Sequence, residues 1–220
     1  MKKNTFYITI EGGDGSGKTT LVQNIYKYLL DQKHKVLLTK EFGTPHDQLS
    51  LDLRNLALSD QYSTDDVSAQ LIFAAMIRQH QQKVIAPTIE SSSADFILSD
   101  RGIDSNYAYA PAQGLSESMV KKIFSVAYAG AYMPDLTIYL DISPELSMKR
   151  ILSRPAESLA KGGLDRVEKK GLGVQQLARQ NFHKLHKKSP DRIYLIEVTE
   201  QKTPEDIFQE ALGILTKKLG

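Results

Sequence analysis

The stretch EGGDGSGKTT, residues 11–20, decides how the rest of the chain is read. Its Gly12, Gly17, Lys18 and Thr19 satisfy the full pattern G-x-x-x-x-G-K-[ST]. A β-branched and aromatic run, TFYITIE (5–11), precedes it and a helical pattern over 18–32 follows, so the glycines fall at a strand-to-helix turn. Such a turn aims several backbone N–H groups at one anion. Glycine tolerates the backbone angles this takes, and the helix N-terminus adds favourable partial charge. The loop is therefore expected to hold a triphosphate through Gly12, Gly13, Asp14, Gly15, Ser16, Gly17, Lys18, Thr19 and Thr20. Lys18 would reach the β and γ phosphates, and the Thr19 hydroxyl would join a Mg²⁺ shell. A GTPase would carry N-K-x-D after a later strand; the chain has none, which leaves a phosphotransferase or an ATP-driven switch.

Four more runs read as buried strands: KVLLTKE (35–41), DFILSD (95–100), LTIYLDI (136–142) and RIYLIEV (192–198). Helical patterns at 47–58, 65–90, 116–131, 144–154, 170–187 and 204–218 alternate with them, and the crossovers are long enough for parallel pairing. The expected class is α/β, an open five-stranded parallel sheet of the P-loop NTPase type with helices on both faces. The stretch SRPAESLAKGGLDRVEKKG (153–171), rich in glycine and charge, reads equally as a short lid or as a solvated connection. A chain of 220 residues, 41% hydrophobic, suffices for one core, so a single domain over 1–220 is expected.

A formal charge of only +2 argues against a duplex nucleic acid partner and suits small acidic ligands. The absence of cysteine excludes disulfides and thiolate metal sites. MKKNTFYITIEGG lacks the pattern of a cleaved leader, and no apolar run is long enough to span a bilayer, so a cytoplasmic protein with no membrane partner is expected.

After the third strand comes SDRGIDSNYAYAPAQG (99–114). Asp100, at a strand's carboxyl end, can hold Mg²⁺ through water, and Arg101 offers a fork that fits a phosphate bidentately. Here the chain resembles the thymidylate kinases, whose pattern at this position is D-R-Y followed by S-x-x-A-Y-Q; Asp100, Arg101, Ser105, Ala108 and Tyr109 match it. EGGDGSGKTT, LLTKEFGTP, PDLTIYLDISPELSMKRI and GGLDRVE resemble further family segments in the same order, from residue 6 to about 198.

The resemblance implies a kinase that moves the γ-phosphate of ATP, with Mg²⁺, to a deoxynucleoside monophosphate: dTMP first, with a related pyrimidine or a modified deoxynucleotide as the alternative. It implies that Lys18, Asp100, Arg101 and the lid residues Lys161 and Arg166 are catalytic and that Thr19 and Asp100 serve the metal. Asp14 would face the sugar hydroxyl, and Arg101 with a basic residue near strand two would grip the acceptor phosphate. Ser105, Tyr109 and Phe73 would contact the substrate, with Arg78 the nearest arginine to the base. The family also forms homodimers. Because Gly15 stands where some members have arginine, the chain is similar to bacterial forms that place that charge in the lid.

Several positions depart from the pattern. Phe73 is in place to stack on the base, but one helical turn on stands Ile77 rather than a base-binding arginine, and Arg78 lies about 100° further round the helix. Gly102 replaces an aromatic, Ala110 a glutamine, Lys40 and Phe42 an arginine and a proline, Gly43 a double glycine, and Lys161 a lid arginine. A deoxynucleoside kinase would need a general base for a hydroxyl acceptor, for which Glu41 is the candidate; a non-catalytic nucleotide-binding relative is the other rival. His80 reads first as a structural hydrogen-bonder.

Overall fold

All five expected strands form in the computed structural model, which describes residues 4–44, 47–59, 64–153 and 171–220. They are β1 Phe6–Gly12, β2 Val36–Lys40, β3 Phe96–Asp100, β4 Leu136–Ile142 and β5 Ile193–Val198. Every pairing is parallel, in the order β2-β3-β1-β4-β5. The helices are α1 Lys18–Asp31, α2 Gln48–Leu58, α3 Asp66–His80, α4 Ala86–Ser91, α5 Ile103–Ala112, α6 Glu117–Ala127, α7 Pro144–Leu152, α8 Leu172–Lys188 and α9 Pro204–Leu219.

Strands buried on both faces read as near-continuous apolar runs, which is why they were legible. One face carries the larger apolar core, where Leu21, Val22, Ile25 and Leu29 of α1 and Ile207, Ala211 and Leu215 of α9 cover Ile8, Ile10, Leu98, Ile138 and Leu140. The opposite face is more polar. There Thr9 and Thr137 share a hydrogen bond of 2.8 Å, and Asp104 of α5 accepts from Thr137 and from both terminal nitrogens of Arg192.

Two local expectations are corrected. The continuous helix over 65–90 breaks into α3, a π-helical turn at Gln81–Ile85 and α4. Pro87 has no N–H to return to the preceding turn, and the wider turn, with the Ala86 N–H on the Gln81 carbonyl, absorbs the fault. Helix α5 occupies a stretch that showed no helical pattern. Its Ile103, Asp104, Ser105, Asn106, Ala108, Ala110 and Ala112 are all buried, so it has no polar outer face to set up a 3.6-residue alternation.

Glu11, at the end of β1, anchors that helix. Its fully buried carboxylate accepts from the Gly102 N–H at 2.8 Å, the Ser105 N–H at 3.1 Å and the Ser105 hydroxyl. Gly102, the N-cap, offers no side chain of its own, so a strand carboxylate supplies the cap. The approach is close: a Cβ at Gly102 would lie 2.5 Å from Thr9 Cγ2.

Candidate active site

The chain leaves β1 for β2 on one side and crosses from β3 to β4 on the other, so a crevice opens at the strands' carboxyl ends. It holds a cavity of about 460 Å³. Lys18, Lys40, Arg54, Arg101 and Arg150 line it and outnumber the carboxylates Asp14 and Asp100, as a site for phosphates requires.

The phosphate end is built by the loop between β1 and α1. A Cβ at Gly12 would meet Ser16 Oγ at 2.7 Å, and Gly17 caps α1 in the left-handed region (φ 93°), so both positions select glycine. Lys18 folds back to donate to the Gly13 carbonyl at 2.8 Å and lies 3.8 Å from Asp14 Oδ1. Burial, with the neighbouring Arg101 charge, pushes the Lys18 ammonium down to about 8, which leaves it protonated at neutral pH. Helix α7 braces the loop from outside: the Ser147 hydroxyl donates to the Asp14 carbonyl, and Arg150 donates to the carbonyls of Gly15 at 3.3 Å and Thr199 at 3.2 Å. Thr19 and Thr20 face the cavity from the first turn of α1.

In the middle stand Asp100 and Arg101. Register places Asp100 between Lys40 and Ile10, with Lys40 Nζ 3.8 Å from Oδ2. Its other oxygen, Oδ1, is buried with no hydrogen-bond partner among the described residues. Arg101 adopts φ 69°, a strained conformation for a side-chain-bearing residue, and this aims its guanidinium across the cavity floor. There it lies 3.3 Å from Asp14 Oδ1, 3.4 Å from Ser105 Oγ and 5.3 Å from the centre of the Tyr109 ring.

The far end is aromatic. Phe42 and Phe73 meet edge to face at 5.3 Å, beside Leu58, Gln70, Asn106 and Gln113. Arg54 crosses Gly43 and donates to the Phe42 carbonyl at 2.7 Å, so α2 holds this wall in place. Asn106 Nδ2 donates to the Tyr128 hydroxyl at 2.6 Å.

Asp14, Gly15, Gly17, Lys18, Thr19, Thr20, Phe73, Asp100, Arg101, Ser105 and Tyr109 thus come together around one cavity. Two expected substrate residues do not. Arg78 is turned away and donates to the Ala129 carbonyl beyond α6, while Ile77 before it is buried against Ala110, Val120 and Phe124. One residue of offset on a helix is enough to exchange the cavity for that flank. Glu41 does not line the cavity either; it is fully buried, neither carboxylate oxygen has a hydrogen-bond partner among the described residues, and burial pushes it up to about 8. Lys161, Arg166 and the rest of the expected lid from 154 to 170 lie outside the described residues. His80 is buried, with Nε2 2.9 Å from Thr39 Oγ1, as a structural hydrogen-bonder would be.

Sequence reasoning missed Arg54, Gln70, Asn106, Gln113 and Arg150, all of which line the cavity. Gln70 carried a usable signal, because it precedes Phe73 by three residues and so shares its helical face. Arg54 and Arg150 carried none, since their reach depends on tertiary approach.

The geometry agrees with what the chain is similar to. The family profile described as thymidylate kinase matches residues 10–210. The thymidylate kinase of Acinetobacter baylyi is 36% identical over 211 residues, covering 94% of this chain and 96% of that protein. That of Mesoplasma florum is 34% identical over 216 residues, covering 97% and 96%. Among solved structures, the thymidylate kinase of Ehrlichia chaffeensis superposes with a TM-score of 0.71 at 26% identity, covering 97% of this chain and 99% of that one.

Proposed function

The chain belongs to the thymidylate kinase family, and from that premise we propose that it transfers the γ-phosphate of ATP to the 5′-phosphate of dTMP, giving ADP and dTDP. The observation that carries the reading is the two-ended cavity, with a phosphate loop and cations at one end and a Phe42–Phe73 slot at the other.

In this reading the loop N–H groups and Lys18 hold the ATP phosphates, and Arg101 and Lys40 hold the acceptor phosphate in line with them. Asp14 takes the sugar hydroxyl, Tyr109 walls the sugar, and Phe73 stacks on the base. A phosphate oxygen of dTMP attacks the γ-phosphorus while the bond to the β–γ bridging oxygen breaks and that oxygen leaves with ADP. The second ionisation of a phosphate monoester lies near pH 6, so this nucleophile is already deprotonated and needs no general base. Enclosure of Glu41 away from the cavity is consistent with such an acceptor and counts against a neutral hydroxyl. With no base chemistry to perform, the residues contribute positioning and cationic stabilisation of the transferring group.

The donor set fits Mg²⁺. That ion keeps most of its water and takes one or two protein oxygens beside the phosphates, and the Asp100 Oδ1 without a partner, with the Thr19 hydroxyl, supplies them. When bound it would neutralise charge developing on the transferring phosphate. A homodimer working in the cytoplasm belongs to the same proposal; among the described residues no helix is long and apolar enough to cross a membrane.

A steady-state panel of thymidine and the deoxynucleoside monophosphates with ATP and Mg²⁺ tests the reading. ADP formation is expected with dTMP. Turnover of thymidine in its place, or no ADP above background with any acceptor, refutes it.

A further inference from the structure

Gln70 is 3% exposed, lines the cavity, and its carboxamide makes no hydrogen bond among the described residues. Its amide opens onto the cavity, where a ligand can complete its hydrogen bonding. Of its polar neighbours, Arg54 is held by the Phe42 carbonyl, Arg78 by the Ala129 carbonyl and Asn106 Nδ2 by the Tyr128 hydroxyl, while Gln113 also lines the cavity. Gln70 also sits one helical turn before Phe73, on the face that forms the aromatic slot.

We propose that Gln70 reads the hydrogen-bonding edge of the acceptor base, donating from its carboxamide to the 4-keto oxygen of a pyrimidine stacked on Phe73. The inference rests on the kinase reading above and adds a group that binds the keto edge of the base. With Nδ2 engaged by Tyr128, Asn106 presents Oδ1, an acceptor for the N3–H of the same edge. Together the two side chains offer a donor and an acceptor in the order that a 4-keto, N3–H pyrimidine matches. A 4-amino pyrimidine presents the reverse order, which Asn106, its Nδ2 held by Tyr128, does not match.

The test is kinetic, on the full chain and its Gln70→Met variant, with ATP and three acceptors: dTMP, dUMP and a 2-pyrimidinone deoxynucleoside monophosphate, which lacks both O4 and N3–H. The variant is expected to lose about tenfold to a hundredfold in kcat/KM for dTMP and for dUMP, with KM for ATP unchanged within about twofold. With the 2-pyrimidinone nucleotide, variant and parent should be equally slow. An equal loss on all three acceptors, or none on any, overturns the inference. If Gln70→Met melts early, Gln70→Asn keeps the amide, and the same acceptor-dependent pattern is required of it, at smaller amplitude. A parent chain that turns over no monophosphate refutes the kinase reading and this inference with it, whereas an active variant with unaltered selectivity refutes the inference alone.

Discussion

The two ends of the cavity are built by different means. At the phosphate end, one short segment, residues 12–20, brings backbone amides, a helix terminus and the side chains of Asp14, Lys18, Thr19 and Thr20. At the base end, Phe42, Leu58, Gln70, Phe73, Asn106 and Gln113 arrive from separate parts of the chain and meet through packing. A phosphate has the same shape in every nucleotide, so a fixed loop can serve it. A base differs from its competitors by a few polar atoms, and side chains that can be exchanged one at a time suit that task.

The comparison can be strained at its strongest point first. Lys18→Ala is expected to lower kcat by on the order of 10² to 10³ with any acceptor, because a cation on the transferring phosphates is lost. Single-turnover rates would read it, and a loss that varied with the base would mean that the two ends are not separable. Phe73→Ala should act only at the far end. Base–aromatic stacking is worth about 1–3 kcal/mol, so the acceptor KM should rise about fivefold to a hundredfold while KM for ATP stays put. Equal damage to both Michaelis constants would show that Phe73 supports the fold rather than the base.

The smallest effect concerns the carboxylates behind each end. Glu11, behind the phosphate loop, has three donors, whereas Glu41, behind Phe42, has none among the described residues and is raised to about 8. A raised carboxyl binds its proton more tightly in the folded than in the unfolded chain. Its contribution is whole below pH 4.5 and is lost as pH climbs toward 8, at up to about 1.4 kcal/mol per pH unit. Glu41→Gln should therefore flatten the fall of Tm between pH 5 and 8 by a few degrees per unit. Parallel Tm profiles for parent and variant would mean that Glu41 has a partner that keeps it ionised.

That division also explains what could be read in advance. The strands and the phosphate loop were legible, because buried parallel strands are continuous apolar runs and the loop's conformational demands fall on consecutive residues. Helix α5 was not, because it turns Asp104, Ser105 and Asn106 inward and so breaks the pattern that announces a helix. Arg78 was misplaced for a related reason: a cation one position from the expected one looks close in sequence but faces another neighbour, here Ala129. Nothing in sequence order brings Arg54 to Phe42, and Glu41 gave no sign that its side chain is enclosed rather than facing substrate.

Gly102 carries a consequence for how such a chain can change over time. Its hydrogen atom occupies the space where a Cβ would touch Thr9 Cγ2, so any larger residue there is blocked while Thr9 keeps its methyl. Serine at position 9 would clear that space and retain a hydroxyl for Thr137. A larger residue at 102 is therefore coupled to the one at position 9, and the two are expected to be exchanged together rather than singly. The contact makes two distant positions in the sequence a single unit of change.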